Sequence, residues 1–105
     1  MKKFNSKKGS ITKNLKIIEW LKTELLSNVS LLFKIMIRNN EVKLLDIITN
    51  IIMITYLLAK RLGYSFEQID RKLQKKVEAN ANDKHQIEVW YGDLTKLLEH
   101  LKDRS

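Results

Sequence analysis

A few polar side chains interrupt the most apolar stretch of the chain, which runs from Leu44 to Leu58. Asp46 and Asn50 are four residues apart, a spacing that places both on one face of a helix. Glu24 stands among leucines earlier in the chain. Carboxylate and amide oxygens are ligands that Mg²⁺ prefers, so Glu24, Asp46 and Asn50 are candidate ligands of a small metal site. The alternative, which the residues alone favour, is a hydrogen-bonded cluster that fixes helix register or dimer specificity.

A second candidate site is basic. Lys72 and Lys76 are four residues apart, as are Arg71 and Lys75, so these side chains make one side of a helix strongly positive. Such a face is suited to binding phosphate groups. A solvated helix surface has the same pattern, and the charge pattern alone favours that interpretation.

The elements that must position these residues are helices. The chain has no proline, no cysteine and three glycines, which favours an all-α fold and excludes disulfides and thiolate metal sites. Periodic apolar residues predict a first helix that starts at Ser10 or Thr12 and ends near Arg38. Asn39-Asn40 suits a turn, and a second helix is expected over about Glu41–Leu62.

Helix signals continue to the C-terminus. Ser65 and Gln68 form a predicted capping box that opens a third helix, which should end around Asn80–Asn82. Asp83 is suited to cap a fourth helical segment, and Gly92 is expected to break or kink it. The residues leave open whether this last segment is one helix or two.

The second helix is apolar on nearly every side, so it must be covered on nearly every side. One chain of 105 residues offers few neighbours, and a homodimer or higher homo-oligomer is the expected partner. No membrane span is predicted, because the apolar run falls short of the ~20 residues a bilayer needs and includes Asp46 and Asn50.

The net charge of +8 is concentrated at the start of the chain, where six lysines precede the first acidic residue, Glu19. Residues 1–10 are predicted to be a basic flexible tail, followed by one domain over 11–105. Contact of this tail with an anionic membrane surface or with nucleic acid is the alternative, and a nucleic-acid partner is ranked last. No apolar segment of a secretory signal follows the lysines, so the chain is expected in the cytoplasm.

The segment from Leu57 to Phe66, which joins the second and third helices, is similar to the MazG-like group of the all-α nucleoside triphosphate pyrophosphatase superfamily. The resemblance covers about Ile17 to Asn80. The piece from Ile87 to Leu94 and the leucine-rich run after it resemble a compact subgroup from Gram-positive bacteria. The resemblance implies a helical bundle of four to five helices, completed by dimerisation.

Members of this family convert a nucleoside triphosphate to the monophosphate and pyrophosphate. They use Mg²⁺ held by an E-x-x-E pair on the first helix and an E-x-x-D pair on the second. In this chain Leu21 and Glu24 occupy the first pair, and Ile47 and Asn50 occupy the second. Asp46 is acidic but one residue out of register, a rotation of about 100° around a helix.

Lys76 and Asn80 fall near the late phosphate-contacting positions of the family, so the resemblance extends the predicted phosphate site to Lys72, Lys76 and Asn80. It implies a nucleoside triphosphate as ligand, and Mg²⁺ as cofactor if the protein is catalytic. Losing three of four carboxylates should remove most of the metal affinity. The sequence therefore leaves two functions open: a pyrophosphohydrolase-related nucleotide-binding protein, with or without turnover, and a non-catalytic helical dimerisation or protein-interaction module.

Overall fold

The computed structural model describes the backbone of residues 2–83, 89 and 91–104, and the side chains of residues 10–83, 89 and 91–104. Within these ranges the chain forms four α-helices and no strand. They are α1 (Lys2–Arg38), α2 (Glu41–Arg61), α3 (Phe66–Asn82) and α4 (Asp93–Arg104). The all-α prediction is confirmed.

Helix α1 is longer than its sequence predicts. A start at Ser10 or Thr12 is wrong, because the helix runs through both residues back to Lys2. A residue able to cap a helix begins one only where the preceding chain leaves helical geometry, and no proline forces that here. The flexibility expected of residues 1–10 stays a prediction.

The turn between α1 and α2 follows the chemistry of its two asparagines. Asn39 has a φ of 55°, in the left-handed region that asparagine tolerates better than most residues. Asn40 then caps α2, since its side chain accepts a 3.2 Å hydrogen bond from the backbone N–H of Lys43. This short turn makes α1 and α2 antiparallel neighbours.

Helix α2 ends at Arg61, close to the predicted end near Leu62, with Lys60 and Arg61 in its last turn and Gly63 just beyond the cap. Gly63 has a φ of 106°, which a residue with a Cβ adopts only at a cost. The N–H of Tyr64 bonds to the carbonyl of Ala59, and the N–H of Gly63 bonds to the carbonyl of Lys60, both at 3.1 Å. This pair of bonds is a Schellman motif.

The predicted capping box of α3 is confirmed. The backbone N–H of Gln68 donates to the Ser65 hydroxyl at 3.1 Å, and the Gln68 side chain accepts from the Ser65 N–H at 2.8 Å. Helix α3 ends at Asn82, and Asp83 stands at its C-terminal cap. The helix start predicted after Asp83 falls on residues 84–88, which lie outside the described part of the chain.

Gly92 decides the question that the sequence leaves open about the last segment. Val89 and Tyr91 are helical, Gly92 has a φ of 67°, and α4 begins directly after it at Asp93. A positive φ interrupts a right-handed helix. The C-terminal segment is therefore broken at Gly92.

The chain divides into two compact units, Met1–Tyr64 and Ser65–Ser105. In the first unit α1 packs on α2, with Leu21, Ile35, Ile47 and Ile54 buried between them. Only part of the apolar periodicity that predicts α1 is used in this packing. Leu21 and Ile35 are buried, whereas Ile11, Leu15 and Met36 are more than half exposed.

In the second unit α3 packs on α4, and Val77 and Leu101 are its buried side chains. The Gln74 side-chain amide donates to the backbone carbonyl of Leu101 at 3.3 Å. Arg104 forms an ion pair with Asp70, also at 3.3 Å. These contacts align the two helices along their length.

Helix α2 keeps most of its apolar surface outside the hairpin. Leu45, Ile48 and Ile52, spaced three and four residues apart, are all exposed. With 21 residues, α2 is long and apolar enough to cross a membrane, judged by length and composition only. The prediction that it is too short for a membrane span is therefore wrong. The argument that remains is the presence of Asp46 and Asn50 in its first half.

Candidate functional site

The polar residues of the α1–α2 interface meet at mid-length of the hairpin. The Asn50 side-chain amide donates to the Asn28 side-chain oxygen at 3.4 Å. The Asn28 amide in turn donates to the backbone carbonyl of Glu24 at 2.8 Å. All three residues are half-buried. The hairpin thus brings Asn50 to the helical turn that carries Glu24.

Asn28 is the member of this group that is not among the candidate residues predicted from the sequence. It lies four residues after Glu24 and seven after Leu21, so it belongs to the same packed face of α1. An amide both donates and accepts, which lets Asn28 bridge a backbone carbonyl and the Asn50 side chain. That spacing is the signal that would have identified it.

Asp46 occupies a different environment from Glu24 and Asn50. It is exposed, although it stands only one helical turn from Asn50. Its neighbour Ile47 takes the buried position, which lies about 100° around the helix from Asp46. The one-residue offset seen in the sequence therefore turns this carboxylate away from the packed face of α2.

The two remaining positions of the resembled acid pattern are hydrophobic core. Leu21 is 2% exposed and Ile47 is 4% exposed. A carboxylate at either position would lose its hydration, and unless it gained a hydrogen-bond partner or a cation, this would cost several kcal/mol in the free energy of folding. In this chain both side chains instead contribute to the apolar contact between α1 and α2.

The described residues do not fit a pair of Mg²⁺ ions. Mg²⁺ demands near-octahedral oxygen ligands and is held by carboxylates together with water and substrate phosphates. Among the residues whose positions the structure gives, no three His, Cys, Asp or Glu side chains form a group able to hold a metal ion. Glu24 supplies one carboxylate, and the Asn28 oxygen already accepts from Asn50.

The predicted phosphate-binding residues all lie on α3. Lys72, Lys76 and Asn80 are exposed and succeed one another at intervals of four residues. Val77, which lies about 100° around α3 from Lys76, belongs to the side that packs on α4. The arrangement provides two ammonium groups and an amide along one accessible ridge, which is suited to contact a chain of phosphates.

The two predicted sites belong to different units of the chain. Glu24, Asp46 and Asn50 fall within Met1–Tyr64, whereas Lys72, Lys76 and Asn80 fall within Ser65–Ser105. The first is a neutral amide cluster beside one carboxylate, and the second is a basic ridge.

Comparison with known proteins gives one informative result. A family model described as the MazG-like family matches residues 11–94. No curated protein and no solved structure matches this chain. The matched segment extends from the first third of α1 into the start of α4, and so includes both candidate sites.

Proposed function

We propose, from the premise that this chain belongs to the MazG-like family, that it binds nucleoside triphosphates without hydrolysing them. Membership follows from a match that covers most of the chain, residues 11–94 of 105. It relates the protein to the all-α nucleoside triphosphate pyrophosphatases. Turnover is a separate property, which depends on the residues at the four acid positions.

The burial of Leu21 and Ile47 is the observation that carries the proposal. Splitting a triphosphate into monophosphate and pyrophosphate requires metal ions that neutralise phosphate charge and activate a water molecule. Leucine and isoleucine offer neither charge nor lone pairs at these positions. Glu24 alone retains a carboxylate, and the Asn50 amide carries no charge. Family membership suggests a divalent metal, but this donor set gives it little to bind.

The basic ridge of α3 supports nucleotide binding. Lys72 and Lys76 are exposed on one side of the helix, where they attract the negative charge of a triphosphate. The second unit as a whole has equal numbers of acidic and basic residues. The positive charge of this ridge is therefore local, and it favours a compact anion over a long polyanion.

Thermal unfolding with the common ribo- and deoxynucleoside triphosphates tests binding, each with and without Mg²⁺. A ligand present at about 100 times its dissociation constant stabilises the folded state by about 2.7 kcal/mol. We expect one or more nucleotides to raise the Tm, and a Lys72→Gln/Lys76→Gln variant to lose most of that rise. The matched control, Lys34→Gln/Lys43→Gln, removes the same charge from the first unit. Equal losses in both variants would reject a site on α3.

The exposed apolar side of α2 favours a second candidate, a non-catalytic helical module that associates with another copy of itself. Leu45, Ile48 and Ile52 form a ridge with the spacing that helices use to pack together. Water contact along this ridge is unfavourable, and a partner helix would remove it. Sedimentation equilibrium measures the mass of the particle directly. A concentration-dependent mass above that of one chain supports this role, and a constant monomer mass rejects it.

A further inference from the structure

The net positive charge of the protein comes from one end of the α1–α2 hairpin, the end opposite the Asn39-Asn40 turn. The second unit is neutral overall, and residues 19–46, next to the interhelix turn, hold as many acids as bases. Residues 1–18 and 47–64 hold eight basic residues and no acid, which equals the whole net charge of +8. Six are lysines of α1, and the others are Lys60 and Arg61 at the end of α2.

One contact locates this basic end in the fold. The Asn14 side-chain amide donates to the backbone carbonyl of Arg61 at 3.1 Å, so the last residue of α2 lies level with Asn14. Helix α1 begins at Lys2 and therefore extends past the end of α2 by residues 2–13. At 1.5 Å per residue this projection is roughly 18 Å long.

Apolar side chains accompany the lysines at the same end. Ile11 and Leu15 are four residues apart on α1 and are 57% and 58% exposed. Leu62 and Tyr64, which follow α2, are also more than half exposed. Exposed aliphatic residues and a tyrosine among lysines are typical of helices that lie in the headgroup region of a bilayer.

We propose that this basic end of the hairpin docks on the surface of an anionic lipid bilayer. Ile11 and Leu15 enter the boundary between headgroups and acyl chains, while the lysines around them contact lipid phosphates. Nucleic acid offers the same phosphate charge, but contact with its backbone gives Ile11 and Leu15 no apolar environment. The exposed side chains of Ile11 and Leu15 are therefore what favours a lipid bilayer over nucleic acid. This docking involves neither the α3 ridge nor the acid positions, so it stands independently of nucleotide binding.

Sedimentation of the full chain with lipid vesicles tests the role of charge. We expect binding to vesicles that contain phosphatidylglycerol and much weaker binding to pure phosphatidylcholine. Each lysine near an anionic surface contributes roughly a fivefold factor in affinity, so Lys8→Gln/Lys13→Gln/Lys16→Gln should weaken binding by about 100-fold. The control Lys34→Gln/Lys43→Gln/Lys96→Gln removes equal charge elsewhere. Equal weakening of vesicle binding in both variants would reject docking through the basic end.

A second variant tests the apolar part of the contact. Ile11→Ser/Leu15→Ser keeps every charge, and both positions are exposed, so circular dichroism should report an unchanged helix content. We expect this variant to lose vesicle binding by about tenfold or more. Undiminished vesicle binding, together with equally salt-sensitive retention of duplex DNA, would identify a general polyanion contact and overturn the proposal. Binding that resists 1 M salt would also overturn it, in favour of insertion of α2.

Discussion

The polar contacts that join the two helices of a unit differ in kind between the two units. In the α1–α2 unit, uncharged amides connect the helices, from Asn50 to Asn28 and from Asn14 to the Arg61 carbonyl. In the α3–α4 unit, the Asp70–Arg104 ion pair has the corresponding role, beside a hydrogen bond from the Gln74 side-chain amide to the Leu101 carbonyl. The first unit carries the entire net charge, whereas the second carries none.

The units also differ in how their helices divide apolar from polar surface. Helices α3 and α4 are amphipathic and mostly polar, with Val77 and Leu101 buried, although Phe66, Leu73 and Leu97 are partly exposed. Helix α2 buries Ile47 and Ile54 against α1 but leaves Ile48 and Ile52 exposed. We infer that the first unit provides the surfaces for association, while the second presents a hydrated face to small anions.

Shortening the core of the first unit should produce the largest effect. Ile47→Ala is expected to cost about 2–5 kcal/mol in the free energy of unfolding, because Ile47 is 4% exposed and its removal leaves a cavity. Val42→Ala on the same helix is the matched control, since Val42 is 82% exposed. Urea denaturation followed by circular dichroism measures both. Similar costs for the two would show that Ile47 is not a core residue.

A charge on the exposed ridge of α2 should change association without unfolding the hairpin. Ile52→Glu is expected to reduce the mass of the particle to that of one chain, because burying an unpaired carboxylate in an apolar contact costs several kcal/mol. Leu97→Glu on α4 introduces the same charge in the second unit and should leave the mass unchanged. Light scattering after size-exclusion chromatography distinguishes the two. An associated Ile52→Glu variant would place the contact on a different surface.

Loss of the amide pair should have a smaller effect. Asn50→Ala removes the donor to Asn28, and we expect it to cost about 1 kcal/mol, since both side chains are half-buried. A double-mutant cycle with Asn28→Ala isolates their coupling. Because both groups are neutral, the coupling should be the same at low and high salt. Purely additive losses would mean that the amides do not fix the register of the hairpin.

Loss of the ion pair should have the smallest effect. Asp70→Asn is expected to cost about 0.5 kcal/mol or less in the free energy of unfolding. The Arg104 and Asp70 side chains are 46% and 35% exposed, so water screens their attraction. The same cycle with Arg104→Gln should give a coupling that falls as salt is added. A coupling independent of salt would mean that the polar contacts of the two units do not differ in kind.

Local chemistry made parts of the fold predictable from sequence. Asn39-Asn40 and Gly63 have the backbone conformations that their residue types favour, and Ser65 and Gln68 form the capping box that their spacing predicts. The start of α1 was not predictable in this way, because nothing local stops the helix between Lys2 and Ser10. A cap residue marks a helix end only where the chain also changes direction.

The candidate site was predictable only in part, for a tertiary reason. Periodicity indicates that α1 has an apolar face, but the position of α2 decides that Leu21 rather than Leu15 is buried. The same packing selects Asn28 as the partner of Asn50, a choice among several polar residues of α1. The buried state of Ile47, one residue from the exposed Asp46, likewise depends on which side of α2 meets α1.

Pyrophosphate release shows directly whether this chain hydrolyses nucleoside triphosphates. Purified protein is incubated with each common nucleoside and deoxynucleoside triphosphate and with Mg²⁺ or Mn²⁺, beside a Glu24→Gln variant. With Leu21 and Ile47 in the core at two acid positions, we predict release no faster than the protein-free blank for both proteins. Metal-dependent release by the natural chain that Glu24→Gln abolishes would instead show that the protein is a pyrophosphohydrolase.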